Sequence, residues 1–177
     1  MNRAQAPARS RWRSHLVTLA MVLAVLAGAH LWQTRHVPRG AAPDFEALAV
    51  SAQDGAVLSL AQWRAAHPGR PVALHFWADW CTICRLEQSS ITAVAADWPV
   101  LTVAMQSGDV AAVRRVLAQR GLAWPTVIDP DGALAARYGL GAVPAFVVID
   151  AAGRIRASSV GYTSETGMRA RLWWAGW

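Results

Sequence analysis

Cys81 and Cys84 are the only cysteines in a chain of 177 residues, and two positions separate them. A bridge across so short a span closes almost no loop and restricts the unfolded chain little, which makes it a poor structural staple. Zinc normally takes four ligands, and no second Cys pair or His-x-His cluster accompanies this one. Covalent haem attachment needs His directly after the second Cys, where Arg85 stands. Thiol–disulfide exchange remains: one thiolate attacks a substrate disulfide and the other thiol resolves the mixed disulfide. The surroundings suit it. The apolar run before the pair reads as a buried strand over residues 71–77, and helical spacing starts at Thr82. Cys81 then stands at a helix N-terminus, where free N–H groups and the helix dipole stabilise a thiolate.

Other reactive side chains surround the pair. Glu87 follows Cys84 by one helical turn, so it faces either the sulfurs, as an acid–base group, or solvent. Arg85 either favours the thiolate or is a solvated surface charge. His75 lies inside the apolar strand; a neutral ring held by one hydrogen bond is the plain reading, and a proton relay to Cys84 the sharper one. Trp77 reads as core, Trp80 as a rim facing substrate, and Asp79 as a solvated loop acid. Trp63, Trp98, Trp124, Trp173, Trp174 and Trp177 read as packing or helix-end contacts.

The elements that must position these groups follow in order. Residues 45–60 hold Asp54-Gly55 between short apolar segments, a hairpin signal. A short helix or turn follows over 60–66. After the strand at 71–77, a helix is predicted over 82–98 and ends at Pro99. A second strand covers 100–105. Asp109 caps a helix running to about Arg120, closed by Gly121. A short strand at 124–129, a brief helix at 133–138, a strand at 143–150 and its hairpin partner at 154–160 come next. Ser164 caps a closing helix over 164–174. The pattern β-α-β-α-β-β-α suits a parallel pair with a crossover helix and an antiparallel hairpin at the end.

Charge separates the termini. All 17 basic residues are Arg, and six of them precede Ala41; from there on, 11 Arg face 11 Asp plus Glu. The basicity is terminal, which removes the support for nucleic-acid binding. Residues 14–34 carry no formal charge between Arg13 and Arg35, with Trp12 and Trp32 at the ends. About 20 apolar residues cross a bilayer, and the arginines before this run place residues 1–13 in the cytoplasm as a basic tail. Ala27-Gly28-Ala29 also fits a signal cleavage site, although the run is longer than a signal core. The length favours a transmembrane anchor at 14–34, a linker at 35–43 with Pro38, Gly40 and Pro43, and a domain at 44–177. Either reading exports the domain to an oxidising compartment.

The stretch Phe76-Trp77-Ala78-Asp79-Trp80-Cys81-x-x-Cys84-Arg85, followed by Gly141-Ala142-Val143-Pro144-Ala145-Phe146, resembles the thioredoxin superfamily. It looks most like the membrane-anchored thiol:disulfide proteins of cytochrome c maturation and of the suppressor-of-copper-sensitivity D type. The segment from Trp124 to Gly132 and Tyr138-Gly139 fit the same branch. The resemblance implies an α/β, thioredoxin-like fold, a central mixed β-sheet flanked by helices and preceded by one N-terminal transmembrane helix. It also implies a protein-disulfide oxidoreductase, without cofactor or metal, in a bacterial inner membrane with its catalytic domain in the periplasm. Its partners would be protein thiols or disulfides and a membrane electron donor or acceptor. Cys81 matches the exposed attacking thiol, Cys84 the recessed resolving one, and Glu87 an active-site glutamate of the cytochrome-maturation branch. Pro144 matches the proline after a cis bond facing the disulfide, and Val143 the residue whose backbone pairs with substrate. Trp80 joins these as a substrate contact.

Two departures stand out. His75 occupies the position of a buried Asp in thioredoxin, and Thr82-Ile83 is neither thioredoxin's Gly-Pro nor the Pro-His of strong oxidants. Redox direction is therefore not carried over, although a reductant of exported thiols is the expected role. The alternative is a copper-binding or copper-protection protein using the same cysteines as Cu(I) ligands. It ranks lower because Met105 is the only methionine between the linker and Met168.

Overall fold

A computed structural model describes residues 9–50 and 55–177. The chain divides into one unit ending at Arg35 and a second, His36–Trp177. In the first, α1 spans Arg9–Thr34, and the stretch Trp12–Thr34 is long and apolar enough to cross a bilayer. Most of the basic tail, residues 1–8, and Asp54 of the expected hairpin turn lie outside the described residues.

The second unit is built on a six-stranded sheet. Its order is β1 (Gly40–Ala41), β8 (Arg154–Val160), β7 (Ala145–Ile149), β4 (Val72–Trp77), β5 (Val100–Met105), β6 (Thr126–Asp129). β4, β5 and β6 run parallel, while β7 is antiparallel to β4 and to β8. β4 and β5 are apolar almost throughout because every residue is buried on one sheet face or the other. β2 (Glu46–Leu48) and β3 (Val57–Ser59) form a separate antiparallel pair. The helices are α2 (Leu60–Ala65), α3 (Thr82–Asp97), α4 (Val110–Gln119), α5 (Ala133–Arg137) and α6 (Glu165–Ala175).

Alternation along β4 divides the core. Ala73 and Trp77 pack with Ile91 and Val94 of α3, Val113 of α4 and Met168 of α6. Leu74 and Phe76 pack with Phe45, Leu60, Leu134 and Tyr138 on the other face. From β4 onward the order is β-α-β-α-β-α-β-β-α; the β-α unit that the pattern β-α-β-α-β-β-α passes over is the strand and brief helix expected at 124–129 and 133–138. That unit, β6 and α5, is stabilised by Asp129. Its two carboxylate oxygens accept the N–H groups of Leu134 and Ala135, both at 2.9 Å, and satisfy donors that a helix start leaves open.

The segment expected as a linker is different in the structure. Gly40 and Ala41 pair with Ile155 and Arg154 as an edge strand, Val37 is buried, and the Tyr138 hydroxyl donates to the Pro43 carbonyl at 2.6 Å. A polar, proline-containing sequence does not announce a two-residue strand whose partners lie over a hundred positions away.

The helix ends follow their sequence signals. Asp109 accepts the Ala112 N–H at 2.8 Å, and Gly121, at φ +64, closes α4 while Leu122 N–H reaches the Leu117 carbonyl. Asp109→Ala is expected to cost about 1 kcal/mol in urea unfolding, with an unchanged m-value.

Candidate active site

β4 ends at Trp77, and Ala78, Asp79 and Trp80 lead directly into α3. Cys81 is the N-cap of α3, and its Sγ accepts the Cys84 N–H at 3.0 Å. The sulfur therefore occupies the place that a Ser or Asp oxygen takes in an ordinary cap. Cys81 and Cys84 are joined as a disulfide and are 6% and 2% exposed. Cys81 is the more open of the two residues but is itself buried, against the expectation of an exposed attacking cysteine.

The next strand of the sheet supplies the opposite wall. Phe76 pairs with Ala145 across β4 and β7, so the residues before Ala145 reach the start of α3. The Val143–Pro144 bond is cis, and the Val143 carbonyl oxygen lies 3.7 Å from Cys81 Sγ. The expected juxtaposition of Cys81 with Val143-Pro144 is thus present in the structure.

Three hydrogen bonds fix the loop before Cys81, and all run to the β5–α4 connection or the end of α4. Asp79 N–H donates to Ser107 Oγ at 3.0 Å, Arg120 Nη2 to the Asp79 carbonyl at 2.9 Å, and Trp80 Nε1 to the Gln106 carbonyl at 3.2 Å. Asp79 is therefore half-buried and anchored through its backbone, more constrained than a solvated loop acid. Gln106 adopts φ 49, an uncommon left-handed value for a residue other than Gly. Gln106, Ser107 and Arg120 were not legible as site residues, because nothing local in the sequence links them to residue 79. Trp80 remains exposed at the start of α3, as does Ile83.

Glu87 does not face solvent. It is 1% exposed on α3, and its carboxylate accepts the backbone N–H of Thr163. Burial raises its pKa from 4.5 to about 7, while the Thr163 N–H acts weakly the other way. His75 is fully buried on the Trp77 side of β4, edge-on to Trp124 with ring centroids 6.0 Å apart. Neither ring nitrogen has a partner of hydrogen-bond geometry, unlike the single bond expected, although the nearby Ala145 backbone slightly favours the charged form. Burial dominates and lowers the pKa to about 3. The ring stays neutral wherever thiolates form and gives them no charge stabilisation. Arg85 is exposed and donates to Thr82 Oγ1 at 3.3 Å, an interaction within its own helix turn. Among the described residues, no group of three or more His, Cys, Asp or Glu side chains comes together as a metal site.

A cysteine pair that caps the helix after the central strand of a mixed sheet, faced by a cis X-Pro bond, defines the thioredoxin-like class. The chain belongs to the AhpC/TSA family, which residues 38–158 match. It is 33% identical over 107 residues to a thioredoxin-like protein of Haemophilus influenzae, covering 60% of this chain and 64% of that one. It is 35% identical over 83 residues to a thiol:disulfide interchange protein DsbE homolog of Paracoccus denitrificans, covering 46% of each. The fold is also that of a secreted Mycobacterium tuberculosis disulfide oxidoreductase homologous to E. coli DsbE, with TM-score 0.59 and 28% identity over 72% of this chain and 93% of that one. The matches span from about half to 64% of the length of these curated relatives.

Proposed function

We propose that this chain is a thiol:disulfide oxidoreductase that reduces disulfides of exported proteins, held in the cytoplasmic membrane by α1. The observation that carries the reading is the Cys81–Cys84 disulfide at the start of α3, with the Val143 carbonyl 3.7 Å from Cys81 Sγ. The names of the Paracoccus and Mycobacterium relatives support the same chemistry.

In the reduced protein, Cys81 thiolate attacks one sulfur of a substrate disulfide, and the other substrate sulfur leaves as a thiolate that takes up a proton. Cys84 then loses its proton and attacks Cys81 Sγ. The second substrate thiol departs, and the Cys81–Cys84 disulfide forms. Two electrons pass to the substrate; a membrane protein donating two electrons would restore the dithiol. Trp80, Val143 and Pro144 form the substrate-facing wall. Glu87, one turn beyond Cys84 and titrating near neutrality, is the group we assign to take the Cys84 proton.

The reading as a reductant is supported by how few groups other than the helix N-terminus favour the thiolate. Cys81 Sγ receives the Cys84 N–H, but His75 is neutral and Arg85 is turned to Thr82. An ionised Glu87 would add negative charge near the pair. A weakly stabilised thiolate means a less stable reduced form and a lower potential.

Equilibration of the full chain with glutathione tests this. A potential of about −270 mV or lower is expected, and one near about −120 mV would make it an oxidant. Tight Cu(I) binding without any disulfide turnover would replace the enzyme reading with the copper-binding one.

A further inference from the structure

The last turn of α6 and the two residues after it carry three tryptophans that the core leaves outside. Trp173, Trp174 and Trp177 are 61%, 56% and 87% exposed, which excludes core packing and leaves the helix-end reading of the two alternatives. They are grouped: the rings of Trp173 and Trp177 are 5.6 Å apart, and the Arg156 guanidinium sits 5.7 Å over Trp174. Trp177 also shares a surface concavity with Arg154 and Arg156 beside the β7–β8 turn. Arg64 of α2 reaches that turn, donating to the Ala151 carbonyl at 2.9 Å.

The chain enters the domain at the buried Val37 and reaches this same edge three residues later. Gly40 and Ala41 pair with Ile155 and Arg154, and Ala42 N–H donates to the Gly153 carbonyl at 2.8 Å. Arg39 immediately precedes β1 and is exposed. Of Arg39, Arg64, Arg154 and Arg156, the last two pair with Asp150, the one acid among the described residues that forms an ion pair with any of the four. From Thr34, where α1 ends, to Gly40 is six residues, about 20 Å of chain at full extension.

Indole rings favour the boundary between hydrocarbon and water, with the ring in the apolar layer and the N–H in the wet one. Arginine beside them is attracted to anionic headgroups. A tether this short keeps the effective concentration of the edge at a bilayer holding α1 high, so weak contacts suffice.

We propose that this edge is a membrane-docking surface, with Trp173, Trp174 and Trp177 settled among the headgroups of an anionic phospholipid bilayer and Arg154 and Arg156 against the phosphates. The proposal rests on α1 being a retained anchor and is independent of the thiol chemistry.

The test uses the full chain in vesicles of phosphatidylcholine and phosphatidylglycerol, with or without lipids brominated just below the headgroup. Tryptophan emission of the wild type minus that of W173F/W174F/W177F isolates the three indoles from the other seven. Flotation of each sample with the vesicles checks anchoring. The difference emission is expected to fall about twofold or more with brominated lipid. The R154Q/R156Q variant, which keeps every tryptophan, should lose much of that quenching, as should the wild type in about 0.5 M salt. Unchanged difference emission in chains that float overturns the docking surface, whether the indoles stay open to aqueous iodide or are covered by a second copy. Chains that do not float overturn the anchor, and the docking surface with it. Neither readout involves disulfide turnover, so the proposed enzyme activity stands or falls separately.

Discussion

Cys81→Ser is expected to abolish disulfide reduction, lowering the turnover of a model disulfide by about a thousandfold or more, the scale of losing a covalent nucleophile. Cys84→Ser should behave differently. Cys81 can still attack, but nothing resolves the product, so the variant stops as a mixed disulfide with its substrate. The asymmetry comes from the fold: Cys81 is the N-cap, with its sulfur on the Val143 side, and Cys84 is the more buried of the two. Non-reducing electrophoresis and mass spectrometry of both variants, incubated with exported proteins carrying disulfides, make the check. Adducts on Cys84→Ser that are absent from Cys81→Ser support the order of attack. Equal trapping by the two variants, or by neither, contradicts it.

Glu87→Gln should change how stability depends on pH. The folded carboxyl titrates near 7 and the unfolded one near 4.5, so the folded state binds the proton more tightly. Raising the pH through that window therefore destabilises the wild type, by about 3 kcal/mol once both states are ionised. Below about pH 4.5 both states are protonated and the penalty is absent. Glutamine keeps an oxygen for the Thr163 N–H but has no charge to bury. Urea unfolding at pH 5 and pH 8 should show the wild type losing most of that amount and Glu87→Gln losing little of it. Equal losses would mean that Glu87 ionises normally in the fold. The same exchange should also remove a limb near pH 7 from the rate profile of disulfide reduction, provided Glu87 takes the Cys84 proton.

An acid buried to 1% exposure on α3, the helix whose Ile91 and Val94 enter the core, is a local conflict of the kind that functional sites retain. Spacing alone left Glu87 balanced between the sulfurs and solvent. The choice was made by Thr163, 76 positions away, whose N–H is brought to the carboxylate. No pattern around either residue reports that meeting.

What the sequence by itself determined is local. An apolar run with every residue buried reads as an interior strand. Cap residues such as Asp109 and Ser164 mark where helices begin, and a Cys-x-x-Cys at the junction of strand and helix puts one sulfur on a helix N-terminus. These depend on period and capping, interactions that reach only a few residues along the chain. The tertiary structure decided whatever depends on pairing between distant segments. It brought Val143 to Cys81, tied Asp79 and Trp80 to Gln106, Ser107 and Arg120, made residues 40 and 41 a strand, and left Trp173, Trp174 and Trp177 on the surface. Each results from sheet order and helix placement, which set which distant groups share a hydrogen bond and which lose contact with water.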